Sequence, residues 1–467
     1  MKLVYNVNAK PKEIGYGKVL VFALQQMLAI LAATIAVPMI VGNGMSTSAA
    51  LFGAGVGTIV YLLFTKFRSP VFLGSAFAFI GSMQVAFAGA YASAVGGYAG
   101  LLVGAVFAGL VYVVIALVVK AAGVKWVNKL MPAVVVGPTV AIIGLSLAGN
   151  AVGDALHGIG AGNVMNLTGA LSLICALVTL GTVIVCSVYA KKTLKTIPFI
   201  IGILAGYALA TVFTLIGMAT DNSAMQLISW EGFKNMNWVP NFAFVKAFKG
   251  FKDLTGAYIG TIAVAYVPVA FVVFAEHLAD HKNISTIIEK DLLEDPGLDK
   301  TLLGDGVGSI AGAFFGGCPN TTYGESIGCV AISGNASVVT ILCTAVLCMV
   351  AAFVAPFVTF LASIPSCVMG GVCIALYGFI AVSGLKMIQK VDLEDNRNLF
   401  VVATILICGI GGMSLTFGKI TLTEVAVALI LGILTNLLVS RSHKKGAETE
   451  ANTEEKTEET KETVETK

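Results

Sequence analysis

The sequence predicts an all-α polytopic membrane protein, and three observations carry that prediction. Hydrophobic residues make up 57% of the chain and charged residues only 12%, against roughly 25% charged in a soluble domain. The apolar residues fall into long runs, and a run of about 20 crosses the hydrocarbon core as a helix. Glycine is abundant, at 52 of 467 residues, as expected where membrane helices approach closely. The net charge of +3 says less than how the charges are distributed. The nine cysteines sit mostly in apolar runs and form no C-x-x-C pair, so they read as small buried hydrophobes.

Residues 1–18 are polar and are expected to be a cytoplasmic N-terminus. The apolar run that follows has no small-residue cleavage site and reads as a retained first helix. Clear spans are 19–41, 47–65, 97–120, 132–149, 165–190, 197–218, 255–279, 335–360, 364–384, 398–415 and 421–440. Segments 71–90, 301–317 and 319–333 are weaker, being short or interrupted by glycine and polar residues. Counting them gives fourteen crossings with both ends inside. That count puts Lys66, Arg68, Lys120, Lys125, Lys129, Lys191, Lys192 and Lys195 in the cytoplasm. It does the same for Lys282, Lys290, Lys300, Lys386, Lys390, Arg441, Lys444 and Lys445. Loops 42–46, 91–96 and 150–164 carry no Lys or Arg, as outside loops should. The loop 219–254 has four lysines, but long loops obey the positive-inside rule weakly. Dropping one weak segment would invert every later loop. The tail 441–467 is rich in Glu, Thr and Lys and is expected to be a disordered cytoplasmic segment.

An internal repeat is faintly visible. Met131-Pro132-Ala133-Val134-Val135-Val136-Gly137 resembles Ile364-Pro365-Ser366-Cys367-Val368-Met369-Gly370, with Pro and Gly equally separated. Ala76-Phe77-Ala78-Phe79-Ile80-Gly81 lies over Tyr323-Gly324-Glu325-Ser326-Ile327-Gly328. Both matches join spans seven apart. An odd offset reverses orientation, which predicts two inverted seven-span repeats of the kind found in many secondary transporters.

The most irregular stretch is Gly317-Cys318-Pro319-Asn320-Thr321-Thr322-Tyr323-Gly324-Glu325-Ser326-Ile327-Gly328. Such backbone at bilayer depth is tolerated only around a cavity or inside protein. Three acids within the spans are singled out: Glu276, Glu325 and Glu424. Placing a carboxylate at the bilayer centre costs about 2.5–3.5 kcal/mol on insertion scales, so it normally faces a cavity or a partner. Glu325 and Glu276 are read that way, and Glu424 as an interface residue. Four residues beyond Glu276, Asp280 shares its helical face, and two carboxylates on one face favour a shared proton. His277 points about 100° away from Glu276, while His281 and Lys282 are assigned to the cytoplasmic boundary. Phe77 and Phe79 alternate around Ala78 in a strand-like pattern. A short strand there and one in 320–324 would satisfy each other's backbone groups.

From about Lys18 to Val439 the chain resembles the nucleobase–ascorbate transporter family, and within it the uracil branch. The landmarks are Gln25-Gln26 to Pro38, Gly74-Ser75-Ala76-Phe77-Ala78-Phe79-Ile80, Ala275-Glu276-His277 and Asp291-Leu292-Leu293-Glu294-Asp295-Pro296-Gly297-Leu298. The most specific is Pro319-Asn320-Thr321-Thr322-Tyr323-Gly324-Glu325. The resemblance implies fourteen spans with short antiparallel strands in spans 3 and 10. A core domain would hold spans 1–4 (19–122) and 8–11 (255–360), and a gate domain spans 5–7 (131–218) and 12–14 (364–440). It implies that Glu276, Glu325, Phe77, Gly324, Tyr323 and Ala33 line a uracil site, with Glu276, Asp280 and Glu325 as the proton-coupling groups. No cofactor or nucleic acid is implied; the proton is the coupling ion, the setting is the cytoplasmic membrane, and the family is commonly dimeric through its gate. Three positions depart from the family pattern: Ser326, Ser333-Gly334 and Asp280. The alternatives are a permease for xanthine or another nucleobase, or an anion exchanger of the same architecture. No nucleophile–base set or metal cluster suggests an enzyme.

Overall fold

The computed structural model describes residues 3–88, 94–123, 126, 131–160, 164–195, 197–417 and 420–439. The tail 441–467, with Lys125 and Lys129, lies outside them. The helices of eight residues or more begin with α1 (Tyr16–Val41), α2 (Thr47–Phe64), α3 (Ile80–Ala88), α4 (Ala94–Ala122), α5 (Ala133–Ser146), α6 (Ala148–Ala155), α7 (Leu167–Tyr189) and α8 (Pro198–Ala219). They continue with α9 (Ala243–Gly250), α10 (Gly256–Ile288), α11 (Leu298–Gly316), α12 (Gly324–Ser333), α13 (Val338–Ala351), α14 (Ala355–Ala362), α15 (Ser366–Ile388), α16 (Asn396–Ile410) and α17 (Glu424–Val439). Short strands are β1 (Leu73–Ser75), β2 (Asn320–Thr322), β3 (Leu415–Phe417) and β4 (Ile420–Leu422).

Among the described residues eight helices are long and apolar enough to cross a membrane, with α5 and α6 counted as one. The pair α13 and α14, bent by 84°, makes a ninth if it is a single span. The outward faces of these helices and of the shorter α16 are apolar: Leu110, Val114 and Leu117 on α4, Leu177, Ile184 and Val188 on α7, and Phe400 and Ile407 on α16 are all exposed. Bare hydrocarbon over several neighbouring helices is the mark of a lipid-facing surface.

Several expected boundaries move, each for a local reason. The span expected at 335–360 is broken, because Val354 is extended and Pro356 enters the first turn of α14. The one expected at 255–279 runs on to Ile288, where Glu289 takes a left-handed conformation and ends it. His281 is therefore not at a solvent boundary: it is fully buried and its Nε2 lies 2.7 Å from the Tyr61 hydroxyl. The strand pattern read at Phe77–Phe79 is also displaced. Those residues form a tight 3-10 turn, and the strand is the preceding Leu73–Ser75. Residues two apart in such a turn still diverge, because each step is about 120°, so a three-residue window looks the same as a strand. Phe77 meets Tyr377 edge-on at 5.7 Å, and Phe79 stacks on Tyr266 at 5.4 Å.

Glycine sets the approach of the helices that carry these broken segments. A Cβ on Gly53 of α2 would lie 2.4 Å from the Gly312 carbonyl oxygen of α11, and one on Gly308 would lie 2.7 Å from that of Gly57. Residue numbers rise on α2 as they fall on α11, so the two helices run antiparallel. The same antiparallel order joins α5 to α15, where Gly144 meets the Tyr377 carbonyl and Gly384 meets the Ala141 amide, each at 2.3 Å from the added Cβ. At one end of the fold, Val4 and Tyr5 donate their amides to the Gly334 carbonyl at 2.8 and 3.1 Å. Gly334 ends α12 at φ 66°, a conformation that favours glycine. Outside the helices, Asp295 pairs with Lys290 and Arg68 at 2.7 Å each. Hydrogen bonds from Lys290 and then Arg68 hold its carboxyl down to about 2, so the loop before α11 stays clamped as long as pH remains above that value.

The glycine packing has a measurable consequence. Gly53→Ala should lower stability by about 1–3 kcal/mol through overpacking, read as a lower thermal unfolding midpoint in detergent. Gly149→Ala, whose Cβ meets nothing within 4 Å, should leave the midpoint unchanged.

Candidate functional site

The site is built where two chain segments stop being helical. β1 and β2 pair antiparallel, with Leu73 opposite Thr322, Gly74 opposite Thr321 and Ser75 opposite Asn320. Two further bonds extend the ladder: the Ala76 amide to the Pro319 carbonyl at 2.9 Å, and the Tyr323 amide to the Phe72 carbonyl at 3.1 Å. The flanking helices complete the satisfaction of this backbone. Thr58 of α2 accepts from the Leu73 amide at 2.9 Å, and Ser309 of α11 accepts from the Asn320 amide at 2.9 Å. The Asn320 side chain donates to the Gly53 carbonyl at 3.2 Å, in space that side chains at Gly57 and Gly312 would fill.

Each strand hands over to a helical start that faces the same space. β2 leads through Tyr323 into α12, and β1 leads into the 3-10 turn and α3. The first amides of a helix have no intrahelical acceptor, so those of Gly324 and Phe77 are available to a ligand. Tyr323 is buried, donates its hydroxyl to the Ser75 carbonyl at 2.9 Å, and presses its ring where a Cβ on Gly74 would lie 2.3 Å away. Gly324 is exposed with nothing near its Cβ position. Phe77 is buried, and the Tyr377 ring of α15 closes over its edge. Ala33 is fully buried in α1; its neighbour Thr34 lies beside the Tyr323 hydroxyl.

The carboxylates converge here. Glu325 in the first turn of α12 is half-buried, as are Glu276 and Asp280 on one face of α10. Asp280 accepts from the Thr322 hydroxyl at 2.6 Å, which ties α10 to β2. Glu276 lies within electrostatic reach of Asp280, Glu325 and also Asp305 of α11. Asp305 is a residue that the sequence reading passed over. It is an acid in an apolar helix, the same signal that marked Glu276, but it sits in a segment weakened by Gly304, Gly306 and Gly308. It is 1% exposed, and its Oδ2 lies 2.6 Å from Nδ1 of the fully buried His277. Glu424 stands apart at the start of α17, where a helix N-terminus favours an acid.

The departure at Ser326 has a structural account. Gln26 of α1 donates its amide to the Ser326 carbonyl at 3.1 Å and also to the Ser326 hydroxyl. Both residues are buried. The contact locks the first turn of α12 against α1, and Gln26 is a second member of the site that sequence reading did not single out.

Acids and helix starts gathered where two broken segments meet inside a helical membrane fold are the arrangement of a transporter, and the relatives of this chain are permeases, not enzymes. The chain belongs to the Permease family of xanthine and uracil carriers, the nucleobase–ascorbate transporters, whose profile matches residues 17–418. Among similar proteins, the uracil permease of Bacillus caldolyticus is 39% identical over 429 residues, covering 91% of this chain and 92% of the relative. The uracil permease of Bacillus subtilis (strain 168) is 37% identical, covering 92% and 94%. The uracil permease of Escherichia coli (strain K12) is 33% identical, covering 89% and 90%. The fold is similar to that of the transmembrane domain of the cyanobacterial bicarbonate transporter BicA (TM-score 0.61, 15% identity, 92% of this chain and 99% of that one). It is also similar to the murine anion transporter Slc26a9 in its inward-facing state (TM-score 0.62, 10% identity, 91% and 68%).

The two site glycines should respond differently. Gly74→Ala forces the Tyr323 ring aside and should cost about 1–3 kcal/mol of stability. Gly324→Ala should change stability by under about 0.5 kcal/mol. Thermal unfolding of both purified variants checks the contrast.

Proposed function

We propose that this permease takes up uracil together with a proton across the cytoplasmic membrane. The observation that carries the reading is the meeting of Glu276 and Glu325 with the helix-start amides of Phe77 and Gly324. Uracil presents two ring N–H donors and two carbonyl acceptors on a flat ring. Carboxylates accept from the first, amides donate to the second, and Tyr323 and Phe77 offer aromatic surface to the ring. Relatives named uracil permeases support the pyrimidine over xanthine.

Coupling follows from charge. Glu276, Asp280 and Glu325 lie close together, and closely spaced carboxylates resist being ionised together. A proton taken up with a neutral base relieves that repulsion, and its release on the other side frees the base. An anion exchanger is the competing reading, since proteins of similar fold are named as bicarbonate and anion transporters. The acidic cluster opposes it, because an anion bound there would meet like charge.

Transport would proceed by motion of a core (19–122 and 255–360) against a gate (131–218 and 364–440), in fourteen spans forming two inverted repeats. The antiparallel matching of α2 with α11, β1 with β2 and α5 with α15 supports that symmetry, because each pair sits seven spans apart. The pairing of residues 4–5 with Gly334 supports placing the N-terminus and the end of α12 on one side, the cytoplasmic side. The tail would lie on that side too, and a homodimer through the gate is part of the same reading.

Glu325→Gln and Glu276→Gln each replace a charge-assisted acceptor and should cost about 1.5–3 kcal/mol, roughly a 10- to 100-fold loss of labelled-uracil uptake at equal expression. Wild-type uptake by either variant would refute the site. Gly324→Ala keeps the amide but sets a methyl in the open space beside it, and should weaken uptake by about tenfold or more while remaining folded. Collapsing the proton gradient should stop accumulation, and competition by 5-fluorouracil but not xanthine or hypoxanthine should separate the pyrimidine reading from its rival.

A further inference from the structure

The loop 219–254 carries four lysines on the side proposed to face outward, against the usual bias of loops there. Three of them fall in Phe242-Ala243-Phe244-Val245-Lys246-Ala247-Phe248-Lys249-Gly250-Phe251-Lys252, a stretch with four phenylalanines and no acid. It folds as α9 and the short turn that follows. The inner face of α9 is committed to the core helices. Ala243 and Ala247 are buried, Phe244 stacks on Phe314 of α11 at 4.8 Å, and a Cβ on Gly250 would lie 2.1 Å from the Val95 carbonyl oxygen of α4. Lys246 is used up on this side: its Nζ donates to the Gly44 carbonyl at 3.0 Å and to the Tyr98 hydroxyl at 3.1 Å.

The opposite face is left open. Val245 is 48% exposed, and Phe248 meets Phe314 at 6.0 Å yet leaves 59% of its surface bare. Lys249 and Lys252 are exposed too, and spacings of three and four residues put all four side chains on one side of the helix and its following turn. Neither lysine enters an ion pair among the described residues. Apolar groups and unpaired cations sharing a face are the composition of a helix lying in a membrane interface, with its ammonium groups among the phosphates. The surroundings are of the same kind. α4, which passes under Gly250, exposes Val106 and Leu110. On the other flank the Phe242 ring meets that of Phe353 at 6.3 Å, and Phe353 is exposed together with Val350 and Val354. The open face of α9 thus continues an apolar surface already turned to lipid.

We propose that α9 lies in the interface of the outer leaflet and binds anionic phospholipid there, with Val245 and Phe248 among the acyl chains and Lys249 and Lys252 at the headgroup phosphates. Each lysine near an anionic surface adds to the attraction, so two on one face favour an anionic over a zwitterionic headgroup by about tenfold or more. The contact bears on the site from a distance. A Cβ on Gly317 would lie 3.3 Å from the Ala243 side chain, and Gly317 ends α11 and leads into β2. Lipid held on one face of α9 therefore steadies, through the other face, the outer end of the segment that carries Tyr323 and Glu325.

The test uses the full-length chain in nanodiscs of phosphatidylcholine and phosphatidylglycerol, with Trp126→Phe, Trp230→Phe and Trp238→Phe, and with Phe248→Trp as the reporter. Bromine is placed on the acyl chains of one lipid at a time, at equal amounts. Both lipids should quench the reporter, and brominated phosphatidylglycerol should do so at least about threefold more than brominated phosphatidylcholine. Lys249→Gln with Lys252→Gln should make the two lipids equal. Quenching by neither lipid, as for a face open to water or covered by a protein partner, overturns the proposal, and so does equal quenching while both lysines are present. If the reporter chain fails to fold, the wild-type chain reads the same contact: phosphatidylglycerol should raise its thermal midpoint, and a rise that persists in the double lysine variant overturns the assignment. The outer leaflet rests on the proposed orientation, which is read separately. Lys249→Cys should react with a membrane-impermeant maleimide in intact cells; reaction only in inverted vesicles would overturn that orientation and the outer placement together, and failure of uracil uptake would touch neither.

Discussion

The constraint on which the structure depends is that backbone polar groups at bilayer depth need partners. Two segments of this chain leave the helix in the middle of the fold, and each exposes amides and carbonyls that lipid would not satisfy. The pairing of β1 with β2 answers most of that demand, and the hydroxyls of Thr58 and Ser309 answer more of it from the flanking helices. Neither segment would be tolerable without the other. The amides left over at the starts of α12 and of the Phe77 turn are thus placed by the same arrangement that makes the break affordable.

Close helix approach is what lets the pairing form. The side chain of Asn320 lies where Gly57 and Gly312 lack one, and the Tyr323 ring occupies the room left by Gly74. A strand pair only three residues long is weak by itself, so its geometry is inherited from α2 and α11. Those two helices run antiparallel through Gly53, Gly57, Gly308 and Gly312, and rigidity there transmits directly to the positions of Tyr323 and Glu325. Thr322 links the same unit to α10 through Asp280, so the carboxylates are aligned by the scaffold that also positions the amides.

Much of this was legible in the residues. The broken stretch at 317–328, the pairing partner near Gly74 and the acids Glu276 and Glu325 all stood out, because a polar group in an apolar run is costly and so informative. What was illegible had physical reasons. The Phe77–Phe79 alternation looks like a strand since a three-residue turn also sends its ends apart. Asp305 was hidden by glycines that lowered the apolar character of its helix, although those glycines serve packing. His281 seemed to mark a boundary because lysine and asparagine follow it, yet only the partner at Tyr61 reveals that the ring is interior. Pairwise contacts between distant segments leave no local periodicity to read.

The two serine-containing departures from the family pattern illustrate how context gives a residue its meaning. Ser326 is short, and Gln26 reaches across from α1 to meet both its carbonyl and its hydroxyl. The first turn of α12 is thus anchored from the α1 side, next to Glu325, without a long side chain on α12 itself. At the far end of the same helix, where Ser333-Gly334 departs from the family pattern, the left-handed glycine presents its carbonyl to Val4 and Tyr5. Both ends of α12 are consequently held by the N-terminal part of the chain, one through Gln26 and the other through the arm that precedes α1. A helix that carries Glu325 at its start and is tied at both ends to α1 and its leading arm cannot shift alone. Any rearrangement that moves Glu325 relative to α15 and Tyr377 has to carry α1, α12 and the strand pair together.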